Sequence, residues 1–175
     1  ETMPCALTAN IALGRMDSVG ESKKIHVTEF ENKATLTKAA GVITAFTLAS
    51  TKKFWVYDFE KQNAELNEKI NTSNENGTVF YEGELKLSLN KRTATLRNEL
   101  ALLAVNRLMI IAQDRNGTYW LMGELNGATL MPSTFASGKA MGDRNGYELI
   151  FGSMEEVPMS EVTASLIPTL IIPAT

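Results

Sequence analysis

Few residues in this chain have the types and spacing that chemistry requires. One histidine, His26, and one cysteine, Cys5, stand among its 175 residues. A nucleophilic triad would have to use His26, and neither Ser18 nor Ser22 nearby has anything that pairs it with that imidazole. His26 alone also excludes the HExxH zinc pattern, and a lone cysteine excludes an intrachain disulfide or a multi-cysteine metal site. Cys5 therefore reads as a small apolar residue near a terminus, and His26 as a partly exposed polar residue on a strand. Carboxylates are more plentiful. Glu82 and Glu84 lie two residues apart, and Glu155 and Glu156 are consecutive. Glycoside hydrolysis uses carboxylates held across a cleft. An i, i+2 pair on a strand instead shares one face, which marks a solvated or interface surface. Gly138-Lys-Ala-Met-Gly142 has the outline of a phosphate loop, but no Ser or Thr follows the lysine and the glycine spacing is wrong. Phe54, Trp55, Tyr57 and Phe59 could stack on sugars or bases. Their density in one short segment is that of a core strand, with a subunit contact as the other use. No catalytic set, cofactor or metal is expected, and the chain does not read as an enzyme.

Composition points the same way. The chain is 44% hydrophobic and 21% charged, as a globular domain is, and is long enough to bury one core without staples. A net charge of -3 argues against a general nucleic-acid binder, which carries a basic face. It leaves room for an acidic pore through which nucleic acid slides without sticking. No apolar run approaches the ~18 residues of a membrane helix. The opening residues show no signal-peptide pattern.

The elements that would hold these residues are mostly strands. The clearest is Ile70–Asn90, a two-stranded ribbon around the turn Asn74-Glu-Asn-Gly77. In its second arm Val79, Tyr81, Leu85, Leu87 and Leu89 share one face, while Thr78, Phe80, Glu82, Glu84, Lys86 and Ser88 share the other. Residues 61–73 would permit a helix by charge content, but the turn and the extended run after it favour a strand, with Gly77 supplying a positive φ. Further strands are expected over 24–30, 33–38, 42–48 and 53–59. Asn90 reads as the N-cap of the single helix, 91–105, with Leu96, Leu100 and Leu103 on its buried face. A hairpin over 108–113 and 118–124 turns at Asp114-Arg-Asn-Gly117. A loop follows over 131–141, and the last strand is 147–152. Asp-Arg-Asn-Gly recurs at 143–146 and reads as the same turn used twice. The fold class expected is mainly β, a sandwich or barrel with one flanking α-helix around residues 91–105. The chain divides into an N-terminal arm (1–22), a β domain (23–158) and a C-terminal extension (159–175).

Two features fit a compact monomer poorly. Phe80 stands on the polar face of the ribbon, and the proline-broken apolar tail after Pro158 has no obvious core to join. Exposed apolar segments and long strand edges usually meet a partner.

The order of the Ser73–Glu82 hairpin, Leu85–Leu89, a helix, a hairpin over Asp114–Gly117, the Gly138–Asp143 loop and a last strand resembles bacteriophage tail tube (major tail) proteins, related to the tube proteins of contractile injection systems. The resemblance covers residues 50–158. It implies a β-barrel or sandwich subunit that forms homo-hexameric rings by joining inner sheets, the rings stacking into a hollow tube for DNA passage. It implies localisation in the virion after synthesis in the host cytoplasm, no specific DNA binding and no membrane. Its partners would be other copies of the chain and tail proteins such as sheath, baseplate or terminator. On this sequence the resemblance maps the inner-sheet strands to 62–73 and 78–89, and the ring-to-ring hairpin to the Lys33–Lys53 region. The terminal arms would reach neighbouring subunits. Glu65, Asn67, Glu82 and Glu84 would face the lumen, and Phe80, Trp55 and Ile171 would touch other subunits. Alternatives are another phage structural component (connector, terminator or decoration protein) and a small-ligand or carbohydrate-binding β-sandwich.

Overall fold

A computed structural model describes residues 7, 23–49, 51–59, 64–90, 93–113, 117–143 and 145–171. In chain order the elements are β1 (Lys23–Glu29), β2 (Lys33–Ala39), β3 (Val42–Leu48), β4 (Trp55–Phe59), β5 (Ala64–Ser73), β6 (Thr78–Asn90), α1 (Ala94–Val105), β7 (Leu108–Gln113), β8 (Tyr119–Met122), β9 (Ala128–Ala136), β10 (Gly146–Glu155), β11 (Ser160–Val162) and α2 (Ile167–Leu170). The strands form one 11-stranded sheet, mixed because β11 runs parallel to β3, and it does not close into a barrel. The mainly β class with a helix over residues 94–105 stands, as one large mixed sheet rather than a closed barrel.

The sheet folds into two layers. β9, β10, β6 and β5 make an antiparallel first layer. The second layer contains β4, β1, β7, β8, β11, β3 and β2. The pair Leu108↔Ala128 joins them. Gly123 sits at this joint with φ +84°. A Cβ there would lie 2.7 Å from both Ala128 N and Leu108 O, so only glycine lets the chain turn so close to two backbones.

β7 explains why two cores exist. Its sequence Leu-Met-Ile-Ile-Ala-Gln has no alternation because both of its faces are buried. Leu108 and Ile110 enter the first core, between the layers, where they meet Leu85, Leu87, Leu149 and Phe151. Met109 and Ile111 enter a second core on the far side, with Ile43, Phe46, Phe54 and Leu121. The helix buries Leu96, Leu100 and Leu103 in the first core, as their spacing requires. It starts at Ala94 rather than residue 91. Thr93, not Asn90, is its cap, and the Thr93 hydroxyl accepts from Leu96 N at 3.1 Å. Asn90 is committed to β6, opposite Gly146.

The C-terminal tail needs a larger correction. Val162, Ile167 and Leu170 close the second core, Phe54 N donates to Leu170 O at 2.7 Å, and Ile171 bridges to Phe54. The tail thus joins a core shared with β3, β7 and β8, and a second short helix, α2, lies within it. The 131–141 stretch expected as a loop contains most of β9. The two Asp-Arg-Asn-Gly copies also part company. Gly117 has φ +83° at the β7–β8 connection, whereas Gly146 is a buried residue of β10 paired with Asn90 and Ala136. Residues 114–116 and 144 lie outside the described residues.

Tyr57 and Glu99 make a polar contact within the first core. Tyr57 is fully buried, and its hydroxyl donates to the buried Glu99 carboxylate on α1 at 3.4 Å. Burial and the neighbouring Glu99 charge push the phenol well above its usual range. Tyr57→Phe removes a donor to a buried charge and is expected to cost about 1.5–3 kcal/mol, read by urea unfolding.

Candidate functional site

The first layer has an outer face, turned away from the core, and the four residues assigned to a lumen all lie on it. Leu85, Leu87 and Leu89 point inward, so the even-numbered residues of β6 point outward. Directly opposed antiparallel residues share a face. Glu65 opposes Lys86, Asn67 opposes Glu84, and Lys69 opposes Glu82. β10 adds Glu148, Ile150 and Met154 through their register with Ser88, Lys86 and Glu82. Among the described residues the carboxylates Glu65, Glu82, Glu84 and Glu148 outnumber the cations Lys69 and Lys86 on this face. Lys86 is also neutralised locally. Its Nζ lies 3.1 Å from Glu84 Oε1, and the Glu84 hydrogen bond and charge, with Glu65 nearby, raise its pKa. Asn67 Nδ2 donates to Glu65 Oε1 at 2.9 Å, and Asn71 Nδ2 to Glu82 Oε2 at 3.2 Å. A groove of about 340 Å³ lies between Glu65, Lys86, Glu148 and Ile150, and none of its described lining residues is an aromatic that could stack on a sugar.

Among the described residues, β6 is the one strand beside β5, and β9 has a second neighbour at a single pair. β9 meets β7 at one pair, Leu108↔Ala128, and its residues 131–136 are all exposed. The β9 ladder slips between Glu148 and Ile150, where Pro132 and Ser133 form a bulge and Ser133 Oγ accepts from Ile150 N at 3.1 Å. Proline within a strand belongs at such an edge or bulge. Sequence reading missed this edge because Pro132, Ser133 and Ser137 resemble loop composition. The signal present was Thr129-Leu130-Met131, out–in–out ahead of the bulge.

A scan against protein-family models, a search of curated proteins and a search of solved structures each find no match.

The remaining candidates for chemistry have structural duties. Lys139 N and Ala140 N, the amides of the phosphate-loop lookalike, both donate to Asp143 Oδ2, at 2.8 and 2.9 Å. The chain's own carboxylate occupies that cradle, and those two bonds depress its pKa. Glu155 is buried under the turn after β8 and accepts from Leu125 N and Asn126 N. Burial raises its pKa, against the lowering by those two amides. Glu124 is buried as well. It accepts from Ser160 Oγ at 2.8 Å and pairs with Lys38 Nζ at 2.8 Å, while its carbonyl accepts from Lys33 Nζ at 2.7 Å. β2 is thus clasped at both ends. Ile43 and Phe46 of the Lys33–Lys53 region are buried in the second core, while most of β2 is exposed. Among the described residues no group of three or more His, Cys, Asp or Glu side chains could hold a metal ion. No helix among them is long and apolar enough to cross a membrane.

The expected subunit contacts divide. Phe80 is exposed on the outer face, at 38%. Trp55 is half-buried against the first core, and Ile171 against the second, both within their own chain. Phe54 and Tyr57 are fully buried, as core aromatics should be. His26 is not partly exposed. It is buried on the face of the sheet that it shares with Ile111 of β7, its Nδ1 has no hydrogen-bond partner, and the Tyr119 ring centroid lies 6.2 Å away. Of the N-terminal arm only Leu7 is described. It is buried in the first core and its N–H donates to Glu29. Cys5, Ser18 and Ser22 lie outside the described residues, and so does the Phe59 side chain.

Proposed function

We propose that the chain is a tail tube subunit, a virion structural protein that forms hexameric rings stacked around a lumen for DNA. The observation carrying this reading is the antiparallel layer β9–β10–β6–β5, in which, among the described residues, β5 pairs with β6 alone and β9 pairs beyond β10 only at Leu108↔Ala128. An even number of antiparallel strands leaves its two edge strands running in opposite directions. Rotation about an axis along the strands then brings β5 of one copy beside β9 of the next in antiparallel order. Repeated, this heterologous contact closes into a ring whose wall is one continuous sheet. Charged residues on β5 and Pro132 on β9 restrict pairing to a matched partner, as protected edges do. The outer face of the layer becomes the lumen, and its acidic balance keeps phosphates from sticking. Self-association and other tail proteins are its partners in this reading, with no cofactor and no catalytic step.

Size-exclusion chromatography with light scattering, followed by electron microscopy, tests it. The expected result is rings or tubes of uniform width. A monodisperse monomer at every concentration would overturn the reading, and glycan binding by that monomer would favour a carbohydrate-binding sandwich instead.

A further inference from the structure

The dipeptide Asn-Gly occurs at 76–77, 116–117, 126–127 and 145–146. In this pairing a main-chain nitrogen reaches the preceding side-chain amide most easily, because glycine has no Cβ to obstruct the approach. Asn116 lies outside the described residues, and the other three pairs stand in unlike surroundings. Asn126 is tied down at three points. Its Nδ2 donates to Met154 O at 2.9 Å, its N–H donates to Glu155 Oε2 at 3.1 Å, and its carbonyl accepts from Arg107 Nε at 3.2 Å. Gly127 beside it is buried. Asn145 is exposed, but Gly146 is buried in β10 between Asn90 and Ala136, where a Cβ would lie 1.9 Å from Leu89 O. The Gly146 nitrogen cannot move onto the Asn145 side chain without opening that ladder.

Asn76 and Gly77 differ from both. They form part of the turn of the β5–β6 ribbon, both are exposed, and a Cβ added to Gly77 would meet nothing within 4 Å. Among the described residues Asn76 is bonded through its backbone N–H, which donates to Ser73 Oγ at 3.4 Å, and its carboxamide has no partner. The ribbon runs past β10, whose last pair with β6 is Glu155 with Tyr81. Beyond that pair, among the described residues, β5 and β6 hold only each other. A two-stranded piece is marginal in water, so this turn opens locally at little cost.

We propose that Asn76 is a site of spontaneous deamidation, selected by the fold over Asn126 and Asn145. The Gly77 nitrogen attacks Cγ of Asn76. The N–Cγ bond forms, the Cγ–Nδ2 bond breaks, and ammonia leaves with the proton given up by the Gly77 amide. Water then opens the cyclic imide at one of its two carbonyls, leaving aspartate or isoaspartate. Either product adds one negative charge beside Glu75, and isoaspartate also lengthens the main chain by one carbon inside the turn that closes at Ser73↔Thr78. The modification belongs to the unassembled chain and does not depend on the tube reading.

The test incubates the purified full chain at neutral and at mildly alkaline pH and follows each asparagine by peptide mapping with tandem mass spectrometry. Asn76 is expected to convert about tenfold or more faster than Asn126 and Asn145, since those two must first break hydrogen bonds or a ladder. In urea the three rates should converge, because each asparagine then has a glycine beside it and no structure around it. Asn76→Gln should leave the tryptic peptide 70–86 without the mass gain of an amide-to-acid conversion, because glutamine has to close a larger ring. Circular dichroism and the melting temperature serve as fold controls for that variant. Equal rates at the three sites in the folded chain would overturn the proposal. So would an Asn76 that keeps its carboxamide while the urea-unfolded chain loses it, or a mass gain in peptide 70–86 that persists in Asn76→Gln.

Discussion

Leu87→Pro is expected to leave the protein unfolded. β6 is flanked on both sides, with Leu87 opposite Leu149 of β10 and Ala64 of β5, so proline there breaks a ladder that has no free side. The same change removes a leucine that is only 2% exposed in the first core. Large-to-small substitutions at such sites cost about 2–5 kcal/mol, and the lost ladder bond and ring clash add about 3 kcal/mol more. The sum is comparable to the whole stability of a domain, about 5–15 kcal/mol. Far-UV circular dichroism and urea titration should find no cooperative transition at 25 °C. A cooperative transition near that of the wild type would mean that β6 is not a central strand. The contrast with Phe80→Asp is informative, because that position on the same strand is exposed and its change should spare the fold.

The second large effect is a pH dependence centred on His26. Burial, with Lys24 adding to it, lowers its pKa from 6.5 to about 4. Between those values the unfolded chain binds a proton that the folded chain does not, so stability rises as pH rises from about 4 to 6.5. The full span corresponds to about 3 kcal/mol at ~1.4 kcal/mol per pKa unit. His26→Leu removes both the titrating group and the unpartnered buried nitrogen. Urea unfolding from pH 4 to 7 should therefore give a wild-type minus variant difference that slopes across this window and flattens above it. Glu155 pulls the other way, since a raised carboxyl pKa makes stability fall as pH climbs above the ordinary carboxylate value. That contribution is common to both proteins and cancels in the difference. Equal slopes would show that His26 is solvated or has a partner for its proton.

Local pattern made much of this chain legible. Alternation in 78–89, the turn at Asn74–Gly77 and the Leu96, Leu100, Leu103 spacing each report which face of an element is buried, and each element formed as its pattern requires. Alternation placed Glu82 and Glu84 on one face, but only the β5–β6 register brings Glu65 and Asn67 onto that same face. Other features had no local signal. β9 is interrupted by a bulge and a proline, so its pairing depends on β10 accepting the slip. The tail after Pro158 has weak periodicity, and its burial depends on a second core that exists only because β7 is covered on both faces. His26 looks polar in sequence and is buried because the face of β1 that carries it, shared with Ile111 of the second core, is covered.

The sequence by itself determined the β class, the helix, the ribbon and the shared face of Glu82 and Glu84, because those follow from side-chain periods of two and 3.6 along the backbone. Only the tertiary structure decided which strands have a single neighbour among the described residues, which apolar segments find a core, and which end of the strands stands clear. Those depend on contacts between residues far apart in the chain, such as Leu108 with Ala128 and Phe54 with Ile171, which no local period encodes.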